Sequence, residues 1–117
     1  MLNKINKIHE KKRPGIYNCL RYEYNDYLIT IYKTPEDISI NIYDKGDPKG
    51  VLFPKGYVYK SLKNPEFSEP ACSIDLYFIN TVLKEDIDKF CEAIKNIKEI
   101  FSYTDFFINE IEMLGEV

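Results

Sequence analysis

The sequence predicts an α+β fold: a four- to five-stranded antiparallel meander with one long amphipathic C-terminal helix packed on one face. Three observations lead there. Over residues 38–43 apolar and polar residues alternate, with Ile38, Ile40 and Ile42 on one side. Two turn signals, Asn25-Asp26 and Thr34-Pro35-Glu36-Asp37, separate segments of similar character. Over 84–101 the apolar spacing becomes three and four, through Ile87, Phe90, Cys91, Ile94, Ile97 and Phe101.

The 117 residues read as a single domain, with a basic N-terminal arm over 1–15, a β-rich part over 16–79 and a helical part over 80–117. In the arm, Leu2, Ile5 and Ile8 stand three apart among Lys4, Lys7, Lys11, Lys12 and Arg13. That spacing suggests a short basic helix or a mobile arm, ended by Pro14 and Gly15.

Residues 17–24 and 27–33 then form a hairpin about Asn25-Asp26, residue types that tolerate positive φ. A two-residue turn sets Tyr24 opposite Tyr27, Tyr22 opposite Ile29 and Leu20 opposite Ile31. A four-residue second turn sets Lys33 opposite Ile38, Ile31 opposite Ile40 and Ile29 opposite Ile42. In this register Leu20, Tyr22, Tyr24, Tyr27, Ile29, Ile31, Ile38, Ile40 and Ile42 share one face, and a one-residue slip would scatter them. The opposite face carries Tyr17, Cys19, Arg21, Glu23, Leu28, Thr30, Tyr32, Ser39, Asn41 and Tyr43.

Residues 44–50 read as a loop, 51–53 as a short apolar piece, 57–63 as a strand, 64–73 as a connection and 74–79 as a fifth strand. In the long helix, Glu85, Asp86 and Asp88 lie at the start and Lys95 and Lys98 near the end, which suits the helix dipole. Cys91 falls on the apolar stripe and reads as a small core residue. After a capping turn at 102–105, Phe107, Ile111 and Leu114 fit a second short helix, with a strand over 106–114 as the alternative.

Composition narrows the class. Charged residues make up 30% and no apolar run approaches the ~20 residues a membrane helix needs. The first residues lack the apolar core of a secretion signal, and no lipidation motif is present. Cys19, Cys72 and Cys91 are odd in number and scattered, so reduced thiols in a cytoplasmic protein are expected rather than disulfides. The chain has 14 Lys but 2 Arg, with 10 Tyr, 9 Asn and only 2 Ala. AT-rich codons produce that skew, which points to an AT-rich bacterium or to a phage or mobile element within one.

The net charge of −3 hides a division. Residues 1–63 hold 12 basic and 7 acidic side chains, whereas 64–117 hold 4 basic and 12 acidic. Either the halves attract each other within the fold, or one of them faces a charged partner.

The chain offers little for catalysis. His9 is the only histidine, and its place in the arm is a poor base for a nucleophilic triad. Three distant Cys and one His do not make a zinc site. The carboxylates at 85–88 are explained by the helix start, and Asp44 and Asp47 by a turn. No phosphate-binding glycine motif occurs, and the loop bearing Lys45, Lys49 and Lys55 is read as an exposed hairpin tip. No enzyme activity, metal or cofactor is therefore expected.

The outer face, with Tyr17, Arg21, Tyr32, Asn41 and Tyr43 and its extension through Tyr57 and Tyr59, is the surface of interest. Tyrosine and arginine are favoured anchors in protein interfaces. The leading expectation is a small binding or regulatory protein, such as a mobile-element inhibitor acting on another protein. Asp88, Glu92 and Glu99 form an acidic helix face that could mimic nucleic acid in a basic groove. The alternative is single-stranded DNA or RNA binding, with tyrosines stacking on bases and Lys4, Lys7, Lys11, Lys12 and Arg13 on phosphates. In layout alone, a basic sheet backed by an acidic helix is similar to small single-stranded-DNA-binding domains. A third expectation is that the C-terminal segment, or a second copy in a homodimer, covers this face.

Overall fold

The computed structural model describes residues 5–46, 54–64, 66, 69–74 and 87–117. Six strands form one antiparallel sheet in sequence order: β1 (Ile5–Arg13), β2 (Tyr17–Tyr24), β3 (Tyr27–Lys33), β4 (Asp37–Asp44), β5 (Gly56–Ser61) and β6 (Ala71–Ile74). Among the described residues two helices follow, α1 (Ile87–Phe101) and α2 (Thr104–Glu112). The fold is α+β as expected, with one strand more than the four or five expected, and the second short helix is present. No helix among the described residues is long and apolar enough to cross a membrane.

The central register is the expected one. Leu20, Tyr22 and Tyr24 oppose Ile31, Ile29 and Tyr27, while Ile29, Ile31 and Lys33 oppose Ile42, Ile40 and Ile38. All nine residues assigned to the inner face are buried. Asn25 takes φ 51 in the two-residue turn, the left-handed conformation for which asparagine is suited. At the second turn the Thr34 hydroxyl donates to the Asp37 carboxylate at 2.9 Å and accepts from the backbone N–H groups of Glu36 and Asp37, both at 3.1 Å.

The N-terminal arm is the main correction. Residues 5–13 are neither a helix nor a mobile arm; they are edge strand β1, paired with β2 along its length. Pro14-Gly15 does not simply end it but turns it. Arg13 C=O accepts from Ile16 N–H at 2.9 Å, and Gly15 has φ 78, a type II turn with proline and glycine at their favoured positions. Apolar alternation is absent because, past Ile5, every residue of β1 is exposed. A bulge between Lys7 and His9 breaks the period further, so Ile5 and Ile8 mimic helical spacing.

The later strands shift as well. β5 begins at Gly56 and ends at Ser61 rather than at 63. The last strand among the described residues is Ala71–Ile74, directly after Pro70, inside the expected connection; the expected strand over 74–79 lies, past Ile74, outside the described residues, as does the piece over 51–53. Pro70 has no N–H to give a ladder, so the strand starts just after it.

Both helices pack on the isoleucine face. Ile97, Ile100, Phe107, Ile108 and Ile111 join the nine sheet residues in one core with Ile5 and Val58. Each fully buried side chain of that size contributes roughly 1.5–3 kcal/mol. Aromatic edges line the contact: Tyr22 meets Phe107 at 5.3 Å and Phe106 at 6.1 Å, and Tyr24 meets Tyr103 at 6.1 Å between ring centres. The buried stripe of α1 is centred on Ile97 and Ile100. Cys91, nine residues before Ile100 and so about two and a half turns away, points to the opposite side. It is exposed, not a core residue. Ile94 and Phe101 are half-buried; the side chains of Ile87 and Phe90, and residues 84–86, lie outside the described set.

Residues 104–112 are helical rather than extended. The turn before them serves α1 instead of capping α2. Ser102 Oγ donates to Glu99 C=O at 2.5 Å and Thr104 Oγ1 to Phe101 C=O at 2.6 Å, so both hydroxyls go to carbonyls of the last turn of α1.

Candidate functional site: the outer sheet face

Directly opposed residues of an antiparallel sheet point to the same side, so the pairing assembles the outer face row by row. One row runs Lys11, Cys19, Tyr32, Ser39, Tyr59, Ala71. The next runs His9, Arg21, Thr30, Asn41, Tyr57, Ser73. Arg13 and Tyr17 flank the first row; Asn6, Glu23, Leu28 and Tyr43 form the row beyond the second. The expected residues Tyr17, Arg21, Tyr32, Asn41, Tyr43, Tyr57 and Tyr59 thus lie on one face, and the helices occupy the other.

The face has two unlike ends. At the β1–β3 end the side chains pack on one another. Tyr17 sits edge-on to Tyr32 with ring centres 5.5 Å apart, and the Arg13 guanidinium lies 5.7 Å from the centre of the Tyr17 ring. Arg21 donates to the Tyr32 hydroxyl, which raises its already high pKa. Beneath them Cys19 is only 2% exposed, and burial pushes its thiol pKa up against the opposing pull of Arg21. Burial likewise raises the Tyr43 phenol. These tyrosines are half-buried by their neighbours.

At the β5–β6 end the rings are open. Tyr57 is 43% and Tyr59 40% exposed. Together with Ser61, Asn64, Ala71 and Ser73 they line a groove of about 470 Å³, with no charged side chain among the described lining residues.

The arm residues divide between the faces once they become a strand. His9, Lys11 and Arg13 fall on the outer face, and Lys7 and Lys12 on the inner. Lys12 Nζ donates to Leu114 C=O at 2.7 Å, tying β1 to the chain end. Lys4 lies outside the described set. The signal that would have found the outer-face cations is the spacing of two in His9, Lys11 and Arg13, a strand period.

The acidic helix surface is less uniform than its sequence. Asp88 and Glu92 are exposed, but Glu99 is half-buried and accepts a hydrogen bond from the Tyr24 hydroxyl. Between sheet and helices the described ion pair is Lys60–Glu112, at 3.9 Å. The others join strands or the turns and loops beside them: Lys7–Glu10, Lys45–Glu23, Lys55–Asp44 and Lys63–Glu36.

No group of three metal-ligating side chains occurs among the described residues. His9 is exposed and stands opposite Arg21, a group that cannot accept a hydrogen bond to orient an imidazole. No protein-family model, curated protein or solved structure matches the chain.

Proposed function

We propose that this chain is a non-enzymatic binding protein that recognises another protein through the outer face of its sheet. One observation carries the reading: the tyrosines, Arg21 and Asn41 share a face opposite to the one the helices fill. The packed rings at the β1–β3 end lose little side-chain freedom on binding, and tyrosine buries a large area with few rotors. The groove beside Tyr57 and Tyr59, uncharged among its described lining residues, gives a partner an apolar anchor point. A regulator or inhibitor fits this plan, since its task is occupancy rather than chemistry.

Single-stranded nucleic-acid binding is the second reading. It is favoured by the placement of Lys11 and Arg13 beside Tyr17. It is weakened by distance: the open rings on β5 lie three strand spacings from Arg21 on β2, about 14 Å.

Affinity capture from the native host, followed by mass spectrometry, tests the first reading when run on variants in parallel. A partner retained by the wild type and by Asp88→Asn, but lost by Tyr57→Ala/Tyr59→Ala, supports it. Titration of labelled single-stranded DNA and RNA at low and moderate salt tests the second. Tight, salt-sensitive binding that disappears in Tyr32→Ala/Tyr43→Ala would replace the first reading.

A further inference from the structure

We propose that the β1 edge, with Lys11, Arg13 and Arg21, receives an acidic extended segment of the partner protein as an added strand. This rests on the protein-binding reading above and adds to it a place and a chemistry.

The edge supplies the backbone. β1 closes one side of the sheet and pairs only with β2 among the described residues. Its residues past Ile5 are all exposed, so every second N–H and C=O faces solvent, ready to pair with an extended chain. The bulge between Lys7 and His9 bends the strand, which leaves 9–13 as the regular stretch.

The charges choose the occupant. No described carboxylate lies within ion-pair distance of Lys11, Arg13 or Arg21, whereas Lys7, Lys45, Lys60 and Lys63 each have one. The single acid on β1, Glu10, is held by Lys7 at 3.1 Å, and Glu23 on the outer face by Lys45 at 3.1 Å. A strand added at this edge would place alternate side chains beside His9, Lys11 and Arg13, where carboxylates are favoured. A second copy of the chain would bring lysines against lysines, so the charge that rejects self-pairing admits an acidic strand. Nucleic acid is the poorer fit. Near these cations the rings are half-buried, and Arg13 already lies against Tyr17.

The test is selection of random linear peptides on the full chain, with labelled oligothymidylate in parallel. The expected winners carry Asp or Glu at alternate positions. Their affinity falls about tenfold in Lys11→Glu and in Arg21→Glu, variants first shown to be folded by circular dichroism. It is also lost when alternate peptide amides are N-methylated with the charges kept. Neutral aromatic winners that ignore Lys11→Glu but need Tyr57 and Tyr59 would overturn the acidic strand and leave the protein-binding reading standing. Winners indifferent to N-methylation would overturn the edge pairing. Enrichment of nothing overturns this inference whether or not oligothymidylate binds. If the oligonucleotide does bind, through Tyr32 and Tyr43, the protein-binding reading fails as well.

Discussion

The hydroxyl of Tyr24, on the inner face of β2, donates a hydrogen bond to the carboxylate of Glu99 on α1. Tyr24 is 1% exposed, so this bond satisfies a deeply placed phenol while joining sheet to helix. Tyr24→Phe should cost about 1 kcal/mol, because half-buried Glu99 can regain water. Urea midpoints of the two proteins measure it.

The same pair gives the fold an alkaline limit. The Tyr24 pKa is pushed up to about 12, first by burial and then by Glu99. Burial also raises Tyr22, Tyr27 and Tyr43. In the unfolded chain each ionises near its ordinary value of about 10. The stability these phenols contribute is therefore complete below that pH and is lost as pH climbs towards about 12. Urea midpoints across an alkaline series should fall, and less steeply in Tyr24→Phe.

At Gly56 the side chains of α1 lie close against the sheet backbone. A Cβ there would stand 3.0 Å from Ile97 Cγ2 and 3.2 Å from the Phe101 ring. Ile97 is fully buried and has no room to move. Gly56→Ala should cost about 1–3 kcal/mol, read from thermal or urea unfolding.

The helix stripe makes a comparative prediction. Ile97→Asp places a carboxylate where nothing hydrates it and should abolish folding, as judged by loss of cooperative unfolding. Ile94→Asp, at a half-buried position, should leave a weakened but cooperative fold.

Gly15→Val forces a branched side chain into φ 78 and should cost ~1–2 kcal/mol at the turn that holds β1. Amide exchange should quicken in β1 before it does in β3. An equal change in both strands would mean that β1 is not separable from the central sheet.

Thiol reactivity checks the cysteine placements. Cys72 and Cys91 should react quickly with a disulfide reagent in the native protein, and Cys19 only on unfolding. A fast third thiol would contradict the burial of Cys19 beneath Arg21 and Tyr32.

The central hairpins were legible because their turns and their isoleucine alternation specify the same register, so each checks the other. Edge strand β1 was not, since exposure on both sides erases the alternation by which strands are recognised. The same erasure hid Lys11 and Arg13 from the site, although Tyr17, Arg21, Tyr32, Asn41 and Tyr43 followed from the register alone. Cys91 was misplaced because a spacing of three and four fixes a helical face only as finely as its widest apolar arc, and contact with the sheet selects the sector around Ile97 and Ile100.

The strict neighbour-to-neighbour strand order has a consequence for the growing polypeptide. Each hairpin can close as soon as its second strand leaves the ribosome, since no strand waits for a distant one. The helices follow, and their contacts reach far back, as from Glu99 to Tyr24. Until the helices emerge, Ile29, Ile31, Ile40 and Ile42 line a sheet with no lid, and in that interval a chaperone would find its hold on the nascent chain.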